Sequence, residues 1–403
     1  MTDREVVVVG GGMTKFAANR VDASVRDLVV EAVLLAVEDA GVDLREVQHG
    51  LTSYESDHFN RQMTLGAILH DHIGMVPKPN VRVEGGGATG ALALRTAYAY
   101  VKSGLCDSII VYGGETNGKS VNSATAQFFF ALSSDADWDM MVGGNHTAYY
   151  AAMMREHMHL YGTTERQFAH IAVKNRRNAQ HNPLAQKPMQ LTVDDVLASP
   201  RVADPYKLLD CSLLSDGAAA VILATPAWAA AHSTWWASRP RVHFVATGCG
   251  TDTMRLGDRP YPYPGLAHFR GKREAARQAY AMANITSPRE QIDVAELYDS
   301  YSGVELQAYE ELGFCAYGEG GPAAESGRFD LGGELPVNTS GGLLGRGAPV
   351  GATGIAQALE IMLQLRGEAD PQRQVTGARR GLTDTHAGTG THCVVNIFER
   401  RDP

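Results

Sequence analysis

The chain has 403 residues, 44% of them hydrophobic, and a formal net charge of −9. That length supplies a large buried core divided between two or three domains, and the acidic balance excludes a general nucleic-acid surface, which needs clustered Lys and Arg. The five cysteines, at 106, 211, 249, 315 and 393, show no zinc-knuckle or CxxC spacing, so they read as free thiols in a reducing, cytoplasmic setting with no intrinsic metal.

Taken in chain order, Val6 to Val9 running into Gly10-Gly11-Gly12 predicts a buried strand followed by a tight bend. A nucleotide-binding opening is the alternative, but the glycine spacing lacks the GxGxxG fingerprint. Val25 to Ala40 has helical apolar spacing and stops at Gly41. A second unit begins with a strand at Asn80 to Val83, turns through Gly85-Gly86-Gly87, and continues as an alanine-rich helix from Ala91 to Lys102. Its next strand, Cys106 to Tyr112, is expected to end at Gly113-Gly114. Small residues after the first strand let the helix approach closely and aim its first amides out of the strand edge.

From Asn117 to Tyr206 the pattern becomes aromatic and Met-rich, with helices over Thr147 to Tyr161 and Glu165 to Ala179, as suits an inserted lid. A core strand returns around Asp216 to Leu223. The second part restarts at Val242 to Ala246, passes a stretch rich in aromatic, Gly and Pro residues, and forms a helix from His268 to Met282. A strand at Ile292 to Tyr298, a helix at Gly303 to Leu312, an extended run at Pro336 to Leu344, an amphipathic helix at Ala352 to Leu365 and a closing strand at Cys393 to Phe398 follow. Both parts share one plan, strand to glycine turn to buried helix, which predicts two α/β halves with functional turns meeting between them. The expected divisions are 1–116 with 207–240 for the first half, 117–206 for the insert and 241–403 for the second half.

Several segments resemble the thiolase superfamily in this order: Leu209-Asp210-Cys211, Ser215-Asp216-Gly217-Ala218, Leu297-Tyr298-Asp299-Ser300-Tyr301-Ser302, Glu310-Glu311-Leu312-Gly313, Asn338-Thr339-Ser340-Gly341-Gly342-Leu343-Leu344, Gly351-Ala352-Thr353-Gly354 and His386-Ala387-Gly388-Thr389-Gly390. The group they are most similar to is the sterol-carrier-associated thiolases. The resemblance covers essentially the whole chain and implies a five-layer α-β-α-β-α fold, a homodimer and a coenzyme A thioester as ligand. It departs from the family at the chemistry. Gly87 stands where a thiolase carries its nucleophilic cysteine, and Gly347-Ala348-Pro349 has alanine where the family has histidine. Neither residue can attack a thioester or exchange a proton.

The combination is similar to the cysteine-free steroid side-chain aldolases, which cleave a β-hydroxyacyl-CoA by a retro-aldol reaction. Tyr298 falls on the tyrosine attributed to those enzymes, whereas their second tyrosine would fall on Ala348. Retro-aldol cleavage needs a base for the β-hydroxyl proton and donors for the developing enolate. Tyr298 is the expected base, with a neighbour needed to favour its phenolate, and His386 is the expected second catalytic residue. Gly87, Ala88, Gly342, Gly388 and His146 are the expected ligand-binding residues, with amides from Gly87 to Thr89 as an oxyanion site. Asp299 is expected to face away from Tyr298 and contact turn amides, and Glu84 to be solvated or ion-paired.

The expected function is a carbon–carbon lyase. The alternatives are a thiolase-type condensing enzyme using another cysteine, Cys211 or Cys315, and a catalytically silent CoA-binding subunit. The resemblance also implies a small partner with a zinc ribbon and an oligonucleotide-binding-type fold, which would carry any zinc itself. His70 and His72 flank Asp71 without a third ligand, and His157 and His159 lie on different faces of a helix. His392 is expected at a strand edge.

Overall fold

The computed structural model describes residues 4–260 and 265–402. Nine strands form one mixed sheet: β1 (Val7–Met13), β2 (His49–Ser53), β3 (Asn80–Val83), β4 (Ser108–Thr116), β5 (Asp216–Ala224), β6 (Arg241–Thr251), β7 (Val294–Glu296), β8 (Arg380–Ala387) and β9 (His392–Arg401). Their spatial order is β3-β2-β4-β5-β1-β6-β9-β8-β7. The junction between the halves is narrow, with β1 meeting β6 only through Val7↔His243 and Val8↔Val242. β2 runs parallel to β3 and β4 in the first half, and β7 runs parallel to β8 in the second.

The principal helices are α1 (Val25–Ala40), α2 (Thr89–Ser103), α3 (His146–Tyr161), α4 (Glu165–Asn178), α5 (Arg270–Ala283), α6 (Ser302–Glu311) and α7 (Val350–Arg366). Helices α2 and α7 pack against strands of both halves and form the middle layer. Helix α1 covers the outer face of β1 and β5, and α5 covers β6 and β9. The result is the five-layer α-β-α-β-α arrangement expected from the resemblance. Helix α1 starts with a capping box in which Ser24 and Asp27 satisfy each other's main-chain amides, and it ends on Gly41 at φ 60°.

Three expectations change. The glycines at 10–12 do not bend the chain: β1 continues through them to Met13, paired with β5. A Cβ on Gly10 would stand 2.4 Å from Ala40 N and one on Gly12 2.5 Å from Leu35 Cβ, so these glycines let α1 settle on the sheet. Likewise β4 runs on through Gly113 and Gly114 to Thr116. Helix α7 is not amphipathic in its setting, because every residue except Leu363 is buried, as a helix between two sheets requires. The aromatic and proline-rich stretch after Ala246 includes 261–264, which lie outside the described residues. Strands β2 and β8 were not anticipated.

The middle layer closes at a contact between glycines. A Cβ on Gly90 would lie 3.1 Å from Gly354 N, and one on Gly354 would lie 2.4 Å from Ala91 N. This approach brings the turns that precede α2 and α7 to one wall of a cavity.

Candidate active site

A cavity of about 650 Å³ opens among the turns of both halves and the inserted segment, within the range of small-ligand sites. Gly87, Tyr298, Ala348, His386 and Gly388 are in its lining, as are His146, Tyr150 and Tyr301. Most of the surface is apolar, with Phe130, Leu343 and Val350 contributing.

Tyr298 leaves the end of β7 two residues beyond Glu296. Its loop is pinned by Asp299, whose carboxylate accepts from Leu343 N at 2.7 Å, Leu344 N at 3.1 Å and Asn175 Nδ2 at 2.7 Å. Asp299 thus faces the turn amides, as alternation along an extended segment requires. The Leu297 amide donates to Asn338 Oδ1 at 2.8 Å. This frame sets the Tyr298 hydroxyl 2.7 Å from the point where a side chain at residue 87 would begin. The phenol fills the space of the missing cysteine.

Tyr298 is a phenol here, not a phenolate. Burial raises its pKa above the ordinary value, and the carboxyls of Glu55 and Asp299 raise it further. The expectation that a neighbour would favour ionisation is corrected: no cation stands among the causes of the shift, and two acids do. A protonated Tyr298 is suited to donate a hydrogen bond to a developing oxyanion.

His386, on β8, lies with its ring 4.6 Å from that of Tyr298, in an edge-on arrangement at 63°. Its Nε2 is 2.8 Å from Tyr150 Oη. The single proton of Tyr150 goes to the Gly388 carbonyl, so His386 Nε2 must donate to Tyr150 and Nδ1 carries the lone pair. Nδ1 is buried with no partner among the described residues. Burial holds His386 well below the usual histidine range, aided by Lys272, His146 and Arg259. Lys272 is itself paired with Asp384 in the interior. His146, the first residue of α3, is pushed down to about 4 by burial and meets Tyr150 edge-on at 5.0 Å. Both imidazoles are neutral at neutral pH.

The other expected ligand-binding positions divide. Gly87, Gly388 and His146 reach the cavity, but Ala88 and Gly342 are absent from its lining. Ala88 packs with Ala91, Ala387 and Val394 behind the turn. At Gly342, φ is 58° and a Cβ would meet the Asp299 carboxylate at 2.3 Å, so this residue makes room for the loop anchor while Leu343 faces the cavity. The expected oxyanion amides are also reduced: Ala88 N donates to Gly85 O at 3.0 Å, and Thr89 N donates to Gly86 O.

Glu84 bonds the Gly86 amide at 2.8 Å. Glu55, just beyond β2, does line the cavity. No motif pointed to Glu55 or Tyr150, since one follows an unrecognised strand and the other lies on the inserted helix α3. Cys211 lines the wall, yet burial pushes its thiol up to about 12 and its Sγ contacts Lys207 O at 3.3 Å. Cys315 is not in the lining.

Of the other histidines considered above, His70 and His157 have side-chain hydrogen-bond partners. His70 bonds Tyr112 Oη and Lys78 O, each at 2.9 Å, and His72 is exposed. His157 is buried against Glu310 at 2.8 Å, whereas His159 is exposed. His392 pairs with Ala387 at the start of β9. Among the described residues no group of three or more His, Cys, Asp or Glu is arranged to hold a metal, and no helix is long and apolar enough to cross a membrane.

Residues 6–227 match the family description "Thiolase, N-terminal domain", and residues 263–400 match "Thiolase C-terminal domain-like". The chain belongs to the thiolase superfamily, in the group associated with sterol carrier protein 2. It is 43% identical over 400 residues to an acetyl-CoA acetyltransferase of Methanothermobacter thermautotrophicus, covering 98% of this chain and 100% of that one. It is 34% identical over 413 residues to sterol carrier protein 2 of Bos taurus, covering 99% of this chain and 73% of that one. Among solved structures it is similar to an Ltp2-ChsH2(DUF35) aldolase, at 27% identity and a TM-score of 0.82, with 97% of each chain covered. It is an enzyme of this superfamily whose catalytic turn has lost the thiol.

Proposed function

We propose that the protein is a carbon–carbon lyase that cleaves a β-hydroxyacyl-CoA thioester by retro-aldol chemistry, with no covalent acyl-enzyme. The observation that carries this reading is the Tyr298 hydroxyl in the space of a side chain at Gly87. A thiolase presents a nucleophile to the thioester carbonyl at that point; this site presents a proton donor. Cleavage that proceeds through an enolate needs a donor there and no nucleophile. The likeness to an aldolase at 27% identity supports the same reading. The apolar wall and the small Ala348 leave room for a bulky cyclic or aromatic acyl part.

The acyltransferase reading is favoured by the name of the 43% identical relative and by Cys211 in the cavity wall. Its difficulty is physical: a thiol held near 12 by burial supplies almost no thiolate at neutral pH. The same proposal includes a homodimer and a small zinc-ribbon partner, supported by the family resemblance, and a cytoplasmic location, supported by the scattered free cysteines. Co-purification and sizing of the assembled protein test them.

The deciding experiment offers a panel of β-hydroxyacyl-CoA thioesters. The expected result is an aldehyde or ketone together with a shorter acyl-CoA, formed without consumption of free CoA. Tyr298→Phe should lower kcat by about 100-fold or more, the loss typical of one oxyanion donor. CoA-dependent turnover with an acyl group trapped on a cysteine overturns the proposal.

A further inference from the structure

If Tyr298 keeps its proton and the imidazoles are weak bases, the reaction still needs a group to take the β-hydroxyl proton. One acid in the cavity has no other employment. Glu55 stands two residues beyond β2, is 9% exposed, and lines the same cavity as Gly87, Tyr298 and His386. Its main chain is engaged: the amide donates to Glu115 Oε2 at 2.8 Å, and the carbonyl accepts from Arg82 Nη2 at 3.2 Å. Its side chain is not. Oε2 is buried with no hydrogen-bond partner among the described residues. A buried carboxyl oxygen left without a partner is destabilising, a cost that a purely structural residue gives no reason to bear.

We propose that Glu55 is the proton carrier of the reaction, its carboxylate taking the β-hydroxyl proton and handing it to the α-carbon. This rests on the lyase reading above. The hydroxyl O–H bond breaks and its proton moves to Glu55. The oxygen electron pair forms the new carbonyl as the Cα–Cβ bond breaks. The released pair enters the thioester as an enolate, whose oxygen accepts a hydrogen bond from Tyr298. Glu55 then returns the proton to the α-carbon, forming the new C–H bond and regenerating the carboxylate. No oxidant, reductant or added nucleophile is required.

The charges around Glu55 suit this task. Glu115 approaches from β4, Glu84 from the turn after β3, and Tyr298 from the loop after β7. The one nearby cation that bonds Glu55, Arg82, reaches its main-chain oxygen, and that guanidinium stacks over Tyr54 at 3.8 Å. Glu115 is held by Asn60 at 2.6 Å and Gly351 N at 3.1 Å as well as by the Glu55 amide, so it is spoken for. Burial and the two neighbouring glutamates raise Glu55 well above the ordinary carboxyl value. A carboxylate of raised pKa is a stronger base than a solvated one.

The test isolates proton transfer from bond cleavage. By microscopic reversibility, the group that protonates the α-carbon also removes its proton, so acetyl-CoA incubated with the enzyme in D2O should gain deuterium at that carbon. Glu55→Gln should lower this exchange by about 100-fold or more, with circular dichroism and acetyl-CoA affinity retained, and Glu55→Asp should recover part of it. In the wild-type enzyme the exchange rate should rise with pH through a limb well above the usual carboxyl value of about 4.3.

Exchange at the wild-type rate in Glu55→Gln, or a wild-type profile that is flat or rises near the usual carboxyl value, overturns the assignment. The profile decides even if the Gln variant fails to fold. If wild type cleaves β-hydroxyacyl-CoA but shows no Glu55-dependent exchange, Glu55 falls and the lyase stands. If exchange depends on Glu55 but no thioester is cleaved, the lyase reading falls and Glu55 remains an α-carbon base. If wild type does neither, both fall.

Discussion

A side chain added at Gly87 would begin 2.7 Å from the Tyr298 hydroxyl and 2.7 Å from the His386 main-chain oxygen. The first neighbour can swing away, but the second is backbone and cannot move cheaply. Gly87→Cys should therefore not restore thiolase chemistry. Its expected outcome is destabilisation of about 1–3 kcal/mol, typical of overpacking, with loss of lyase activity and no acyl-cysteine adduct. Urea denaturation and intact-protein mass spectrometry after incubation with acyl-CoA read the two effects. At this scale the motif sequence was informative: Gly87, Tyr298 and His386 lie together as the resemblance implied. What it could not convey was the state of the phenol. That depends first on burial and then on Glu55, which lies 243 positions away in the numbering and carries no spacing signal.

Between elements, the crossing of α2 and α7 sets how closely the two catalytic turns approach. The two glycines there are unequal. A methyl on Gly354 would lie 2.4 Å from Ala91 N, whereas one on Gly90 would meet its neighbours at 3.1–3.3 Å. Alanine gains about 1 kcal/mol over glycine in helix propensity, which offsets the mild crowding at 90 and not the clash at 354. Gly90→Ala should leave the unfolding midpoint nearly unchanged, whereas Gly354→Ala should lower stability by about 1–3 kcal/mol and reduce turnover by parting the turns. Helices with regular apolar spacing were legible in the sequence, as were β3 and the turn after it. The glycines of β1 and β4 misled because a glycine that ends a strand and one that admits a helix onto it look alike before the layers are known. Helix α7 misled for a related reason: its Gln357, Glu360 and Gln364 marked a polar face, yet each is buried and bonded within the fold.

Across the whole molecule, buried titratable groups push stability in opposite directions with pH. His146 titrates near 4 in the fold but at about 6.5 in the unfolded chain. Below that value the unfolded state binds protons that the folded state refuses, so stability is lost as pH falls. Glu115 and Asp210 are pushed up to about 7 and about 6 by burial. Their contribution is complete below the unfolded carboxyl value of about 4 and is lost as pH rises through the folded values. Two raised carboxyls outweigh one lowered imidazole, so these groups together should make the urea midpoint fall as pH rises from about 4 to about 7. Glu115→Gln should make that fall shallower, and His146→Phe, which removes the opposing group, should make it steeper.

The bond between Tyr150 and His386 joins the inserted segment to β8. An insert that only shielded the reaction could be trimmed to give an open, faster-exchanging enzyme. This one decides which imidazole nitrogen bears hydrogen, so excising it would leave the histidine without a fixed orientation. The cover and the chemistry beneath it are a single part.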